Sequence, residues 1–369
     1  MNVPLLDLNA QYENILAEIK TEMEKVFTTH AYKLGPQVTE FEKTVSDFCQ
    51  VKHAVGCASG TDALVLALLA LGIGDNDEVI TSPFTFFATA GTIHRVGAKP
   101  VFADIRPDTF NLDPEKIEKA ITSKTKAIMP VHLFGQPADM NSIKSIARKY
   151  DLKIIEDNAQ GIGAKFAGKT AGTIGDIGTL SFFPSKNLGA MGDAGMCLTN
   201  SDALADKLLM LRVHGENPQY YHRWVGLNSR LDTIQAAVLL VKIRYLQNWS
   251  EARRKNAEYY NQKLAGIPQI KLPVIHPEAE SIYNQYTIRA TRRDELKNFL
   301  QAHGVGCAVY YPLSLHLQEC FSYLGHKPGD FPNCEQATSE VLSIPVYSEM
   351  TKIQQDYVID QIRDFYNRE

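Results

Sequence analysis

Short apolar runs and apolar helical stretches take turns along the first two-thirds of the chain. Runs at 53–58, 78–81, 100–104, 126–131, 152–156 and 179–183 have the length of strands. Between them, 61–71, 85–96 and 140–150 read as helices, the first rich in Ala and Leu with Ser59 and Thr61 as candidate caps. This alternation, with short connections, predicts an α/β fold: a mostly parallel sheet flanked by helices. Helical pattern then dominates 231–264, where Leu231, Ile234, Ala237, Val238, Val241 and Ile243 form a stripe. A long helix there would carry the chain away from the sheet. Beyond Gly266, strand-like 283–290, 305–311 and 341–346 mix with helical 294–303 and 352–366, an α+β pattern. The expectation is a large domain over 1–247 and a smaller C-terminal α+β domain over 248–369.

Ligands of open α/β sheets sit at the carboxyl ends of the strands, and the polar punctuation falls there. Ser59, Gly60 and Thr61 follow one strand, 82–86 another, Asp157, Asn158, Ala159 and Gln160 a third, and 181–186 ends a fourth. Four loops would thus bring hydroxyls, a glycine, aromatic rings, a carboxylate and a lysine to one crevice. Each part has a plain structural alternative. Ser59-Gly60-Thr61 alone reads as a helix cap, although such a segment also offers N–H groups to an anion such as phosphate. Phe84, Phe86 and Phe87 would serve as core, Asp157 as a turn cap and Lys186 as a surface lysine. The combination in chain order points instead to a site. Lys186 lies inside 181–195, which is apolar and then glycine-dense, a setting that a solvated lysine does not need.

Composition narrows the partners. A net charge of −4 argues against the concentrated basic surface that nucleic acid requires. Cys49, Cys57, Cys197, Cys307, Cys320 and Cys334 form no C-x-x-C pair and no zinc spacing with His, so no metal is expected and the thiols read as reduced and cytosolic. The most apolar run, 64–71, is too short to span a bilayer, and 1–7 lacks a signal-peptide pattern; no membrane association is expected. No G-x-x-x-x-G-K-[ST] loop and no G-x-G-x-x-G turn between strand and helix occurs, which removes a P-loop and a nicotinamide dehydrogenase.

Several segments carry a family resemblance. They are Pro4 to Leu8, Leu34-Gly35-Pro36, Ala58 to Leu64, Pro83 to Thr89, Glu156 to Gln160, Ser181 to Gly195, His214-Gly215, Gly226 to Asp232 and Tyr311-Pro312. Across essentially the whole chain the sequence resembles the DegT-type nucleotide-sugar aminotransferases, of the fold type I class of pyridoxal-phosphate enzymes. The resemblance implies that Lys186 holds pyridoxal 5′-phosphate as an imine, and that Asp157 pairs with the ring nitrogen. It implies Phe86 stacked on the ring, where several relatives carry Trp or Tyr. Gln160 would lie near the ring hydroxyl, and Gly60, Thr61 and Ser181 at the phosphate. Asn228 would reach the phosphate of a neighbouring subunit's cofactor, making the active unit a homodimer with sites at the interface.

The implied reaction moves an amino group, with glutamate as donor, to a keto-sugar on a nucleotide diphosphate, for lipopolysaccharide, O-antigen or a related glycan, with an antibiotic or S-layer sugar equally compatible. Residues 187–193 resemble members acting on 3-keto sugars, so C3 amination is expected, with C4 as the alternative. Substrate-side candidates are Tyr221, His222 and Arg230 near the partner's site, and Tyr310, Tyr311 and His316 on the small-domain side. For His222 and His316 a structural histidine is an equal reading, and for His132 and His214 a structural role is preferred. Some relatives acting on glucuronate sugars carry His where Tyr310 stands. Rival readings are a pyridoxal-phosphate lyase, against which Lys186 speaks because sugar dehydratases of the family carry His there, and a regulator that binds the cofactor without turnover.

Overall fold

The computed structural model describes residues 1–367. Helices α1 (Leu8–Glu13), α2 (Leu16–Thr29) and α3 (Pro36–Cys49) precede the first strand. The sheet region comprises β1 (His53–Cys57), α4 (Gly60–Ala70), β2 (Glu78–Thr81), α5 (Ala88–Arg95), β3 (Lys99–Phe102), α6 (Pro114–Ala120), β4 (Thr125–Met129), α7 (Met140–Lys149) and β5 (Lys153–Asp157). It continues through the two-residue strands β6 (Lys165–Phe166) and β7 (Lys169–Thr170), then β8 (Ile177–Ser181), β9 (Gly195–Thr199) and α8 (Asp202–Leu211).

Seven strands form the main sheet in the order β1-β9-β8-β5-β4-β2-β3. All neighbours pair in parallel except β9, which runs antiparallel to both β1 and β8. The α/β expectation is met, with β9 as a strand that the alternation did not announce. Because β9 is the reversed one, β1 points the same way as β8, β5 and β2, and their carboxyl ends share one edge. Helix α4 lies on the sheet and buries Ala63, Leu64, Val65, Leu66, Ala67, Leu68 and Ala70, nearly its whole circumference. At roughly 1.5–3 kcal/mol per buried Leu or Val, this helix is a major anchor of the large core.

The stretch 231–264 is broken where a single long helix was expected. Helix α9 (Thr233–Lys242) passes through a 3₁₀ turn, Ile243–Tyr245, into α10 (Leu246–Leu264). The two halves serve different cores: Ala236 and Leu239 of α9 pack with Phe41 and Leu180, whereas Ala257, Tyr260 and Leu264 of α10 pack with Tyr286, Leu300 and Ile362. The rest comprises β10 (Ile270–Lys271), β11 (Ala279–Glu280), β12 (Tyr286–Ala290), α11 (Arg293–Ala302), α12 (Pro332–Glu340), β13 (Val341–Ile344) and α13 (Lys352–Asn367). Strands β10, β12 and β13 form an antiparallel sheet. This C-terminal core also takes in Val3.

The strand expected over 305–311 is absent. Val305 pairs with Val3 and Ala308 with Ser343, one bridge to each of two segments, so no ladder propagates. Gly306 sits against the N-terminal backbone, where a Cβ would come within 2.4 Å of the Leu5 nitrogen. Among the described residues no helix is long and apolar enough to cross a membrane.

Candidate active site

Asp157 is the last residue of β5 and only 4% exposed. Its Oδ2 accepts from the Thr89 hydroxyl at 2.7 Å and its Oδ1 from the Ala159 N–H at 3.3 Å. Thr85, in the bend before α5, lies with its hydroxyl oxygen 3.0 Å from that of Thr89, so a short polar chain leads through the start of α5 to the carboxylate. Burial pushes the Asp157 carboxyl up; the Thr89 and Ala159 bonds and the charge of Lys186 act against that push.

The neighbouring Glu156 points away to a different task. It is fully buried and accepts N–H groups of Gly172, Ile174 and Gly175 at 2.8, 2.7 and 2.6 Å. His132 Nε2 lies 2.8 Å from its Oε2, while His132 Nδ1 accepts from the Ala138 N–H at 3.1 Å. Burial raises the Glu156 pKa, but the His132 bond and the backbone donors outweigh it and hold the carboxyl below its usual range. The structural role preferred for His132 is what the geometry provides.

Lys186 follows β8 by a tight turn in which its N–H donates to the Phe183 carbonyl at 2.9 Å. Its side chain is half-buried. Burial pushes the amine down to about 8, against the pull of Asp157, the charge that acts on it. An ordinary lysine titrates near 10.4. In cofactor-free protein, the rate at which Lys186 is acetylated should therefore rise through a midpoint near pH 8. Replacing Asp157 by Asn removes the charge that stabilises the ammonium and should lower that midpoint further. Peptide-resolved competitive labelling measures both.

The phosphate candidates meet at one point. Ser59 caps α4, its hydroxyl accepting from the Asp62 N–H at 3.0 Å. The N–H groups of Gly60 and Thr61 have no partner within the helix, as at any helix start. A Cβ on Gly60 would lie 2.5 Å from the Ser181 Cβ, so only glycine lets the first turn of α4 close onto the end of β8. Gly195 does the same from β9, where a Cβ would meet the Ser59 carbonyl oxygen at 2.2 Å.

Gln160 is buried and spans two walls. Its Oε1 accepts from the Phe134 N–H at 2.7 Å, and its Nε2 donates to the Tyr311 hydroxyl at 3.4 Å. Phe86 is 59% exposed, with its ring 6.4 Å from that of Tyr311. Phe84 is instead core, 6.2 Å from Tyr311 edge-on. Tyr310 is half-buried, with its ring 5.9 Å from that of Tyr311. His316 is buried among other side chains, its ring 4.6 Å from that of Phe331 and 6.2 Å from that of His326, with Nε2 3.2 Å from Glu335 Oε1 and, among the described residues, no partner for Nδ1.

Asn228, Tyr221, His222 and Arg230 lie apart, on the segment 213–230. Asn228 is exposed and bridges Val213; the His222 Nδ1 is 3.0 Å from the His214 carbonyl oxygen; Arg230 is half-buried. Ser229 ties the segment to the loop after β1, its hydroxyl accepting from the Ala58 N–H at 3.3 Å. On the same segment Tyr220, Tyr221 and Val225 are 81, 71 and 94% exposed. Thr89, which bonds the buried carboxylate, carried no assigned role in the sequence reading. The signal for it was the i, i+4 pair of threonines at 85 and 89.

The carboxyl edge of the sheet thus gathers an amine, a buried carboxylate and a helix N-terminus, and the fold is that of aminotransferases. Residues 13–363 match the DegT/DnrJ/EryC1/StrS aminotransferase family, and the chain belongs to it. A relative from Geobacillus stearothermophilus named pleiotropic regulatory protein is 50% identical over 99% of this chain and 99% of its own. The dTDP-3-amino-3,4,6-trideoxy-alpha-D-glucose transaminase of Streptomyces venezuelae is 40% identical over 99% of this chain and 97% of its own. The crystal structure of S. venezuelae DesV superposes with a TM-score of 0.98 at 40% identity, over 100% of this chain and 99% of that one. NtdA from Bacillus subtilis, solved with its cofactor PMP bound, superposes with a TM-score of 0.92 at 35% identity, over 99% of this chain and 85% of that one.

Proposed function

We propose that this chain uses pyridoxal 5′-phosphate to move an amino group from glutamate to C3 of a keto-sugar on a nucleotide diphosphate. The observation that carries this reading is that the buried carboxylate of Asp157, at the end of β5, and Lys186, in the turn after the adjacent parallel strand β8, lie at one edge of the sheet. The residues present fit the cofactor. A free amine suits its aldehyde, a carboxylate suits its ring nitrogen, and the Gly60–Ser181 contact at a helix start suits its phosphate. When bound, the cofactor supplies an electron sink for a carbon that loses a proton.

Lys186 would hold the cofactor, and its free amine, poised near neutral pH, would carry a proton. Asp157 would keep a proton on the cofactor's ring nitrogen. Phe86 presents the face of its ring, Gln160 a side-chain amide, and Gly60, Thr61 and Ser181 bind phosphate. Tyr310, Tyr311 and His316 border the substrate side. Asn228, Tyr221, His222 and Arg230 act on the site of a second copy, and the exposed Tyr220 and Val225 are covered in that homodimer. The C3 position is supported by residues 187–193 and by the S. venezuelae relative, a transaminase of a 3-amino sugar. All six cysteines are free, as a reducing cytosol maintains them.

The name of the 50%-identical relative favours one second reading, a cofactor-binding regulator. Incubation with glutamate and a panel of 3-keto and 4-keto nucleotide sugars decides. Formation of 2-oxoglutarate with 3-keto sugars is expected; turnover confined to 4-keto sugars would move the assignment to C4, and none with any sugar would favour the regulator. Mixing Lys186→Ala subunits with Asn228→Ala subunits should restore turnover that neither has alone, because each mixed dimer keeps one intact site. No recovery would place Asn228 outside the partner's site.

A further inference from the structure

Segment 282–285 leads from α10 and β11 into β12, in the C-terminal part of the chain, yet it touches both walls of the site. On one side, the Asn284 Nδ2 donates to the Asn187 Oδ1 at 2.8 Å, and the Asn187 Nδ2 donates to the Ile282 carbonyl at 3.2 Å. Both asparagines are buried, and Asn187 directly follows Lys186. On the other side, the Ile282 N–H donates to the Gly135 carbonyl at 3.0 Å and the Gln285 N–H to the Phe134 carbonyl at 3.4 Å. Phe134 is the residue whose N–H holds Gln160. Gly135, at φ +91, packs so closely that a Cβ would fall 2.8 Å from the Asn284 nitrogen.

The segment is itself held from behind. Arg253 of α10 is 4% exposed, and its Nη1 donates to the carbonyls of Tyr283 and Asn284 at 3.2 and 3.3 Å. Tyr283 takes a left-handed φ of 45°. A buried guanidinium committed to two backbone carbonyls fixes this turn, since losing them would leave a buried charge without acceptors. The Lys186 backbone, by contrast, is held locally by a single bond to Phe183. The next residue, Asn187, is tied by its side chain to the braced turn.

We infer that Asn187 and Asn284 form a positioning pair that seats Lys186, transmitting the placement of the Arg253-braced turn to the amine. The proposal rests on the reading of Lys186 as the cofactor-holding residue, and borohydride fixation of pyridoxal phosphate to Lys186 in the parent protein tests that reading separately. Neither asparagine touches the reacting atoms. Their effect is geometric, and small displacements of a reacting group cost rate steeply.

The experiment compares Asn187→Ser, Asn284→Ser and the double variant of the full chain. Expected are a fall in kcat of about tenfold to a hundredfold in each single variant, with KM for both substrates within about twofold because binding groups are untouched. The double variant should be no worse than Asn187→Ser alone, since that substitution already breaks both the Asn284 and the Ile282 bonds. In cofactor-free protein the acetylation midpoint of Lys186 should move from near 8 toward the ordinary lysine value of about 10.4 as the amine gains water. Should Asn284→Ser fail to fold, Asn187→Ser carries the same expectations with the Arg253 brace intact. A melting-temperature loss with kcat and labelling midpoint unchanged would show a merely structural pair and overturn the proposal. So would effects of the two substitutions that multiply.

Discussion

Lys186→Ala should lower kcat by about 10⁴ or more, because it removes both the covalent hold on the cofactor and the base that moves the proton. Arginine should not rescue it, since a guanidinium stays protonated at any working pH. The fold should not suffer. The amine makes no side-chain hydrogen bond or ion pair among the described residues, and burial pushes its pKa down to about 8. A base whose folded pKa is depressed binds its proton less well in the native state. At pH 7 it therefore costs the fold stability, and that cost fades as pH rises through 8 toward the unfolded value. Cofactor-free Lys186→Ala should accordingly melt no lower than the cofactor-free parent at pH 7, and any advantage should shrink by pH 9. Comparison without cofactor matters, because ligand binding stabilises the parent by mass action alone. Steady-state kinetics and thermal melts at the two pH values check this. Turnover at parental rate would remove Lys186 from the chemistry.

Much of this site was legible because strand ends mark themselves. Asp157, Ser181, Ser59 and Gly60 each sit where an apolar run stops, and the edge of a parallel sheet gathers such stops whatever their distance in sequence. Strand β9 was hidden because Gly195–Thr199 follows β8 without an intervening helix, so the alternation of strand and helix did not flag it. Its reversed direction is nonetheless what aligns β1 with the rest of the edge. The residues missed are those that act through others. Thr89 looks like any helical threonine until its hydroxyl is placed on Asp157. Asn284 lies 97 residues from Asn187, and no local pattern reports a contact of that range. The strand expected over 305–311 failed for a related reason: its β-rich composition was satisfied by single bridges to two different partners.

Asp157→Asn should cut kcat by about 10²–10³, the range seen when one preorganised electrostatic group is lost, while leaving the protein folded. The carboxylate has two donors to satisfy, Thr89 at 2.7 Å and Ala159 at 3.3 Å. An asparagine oxygen can keep the shorter bond, since the Thr85–Thr89 pair fixes where that hydroxyl points. Its amide nitrogen would then face the Ala159 N–H, and the longer bond would be lost at a cost of about 1 kcal/mol. Against this, a buried amide carries no charge to desolvate, and burial is the largest influence on the Asp157 carboxyl. The two effects are of similar size, so the melting temperature should move by only a few degrees. What the amide cannot do is hold a proton on the cofactor ring nitrogen by charge. Pyridoxal phosphate should still be fixed to Lys186 by borohydride in this variant, because the amine and the phosphate cradle are untouched. Retained fixation with collapsed turnover is the signature of a lost electron sink. Full turnover in Asp157→Asn would mean that the ring nitrogen faces some other group.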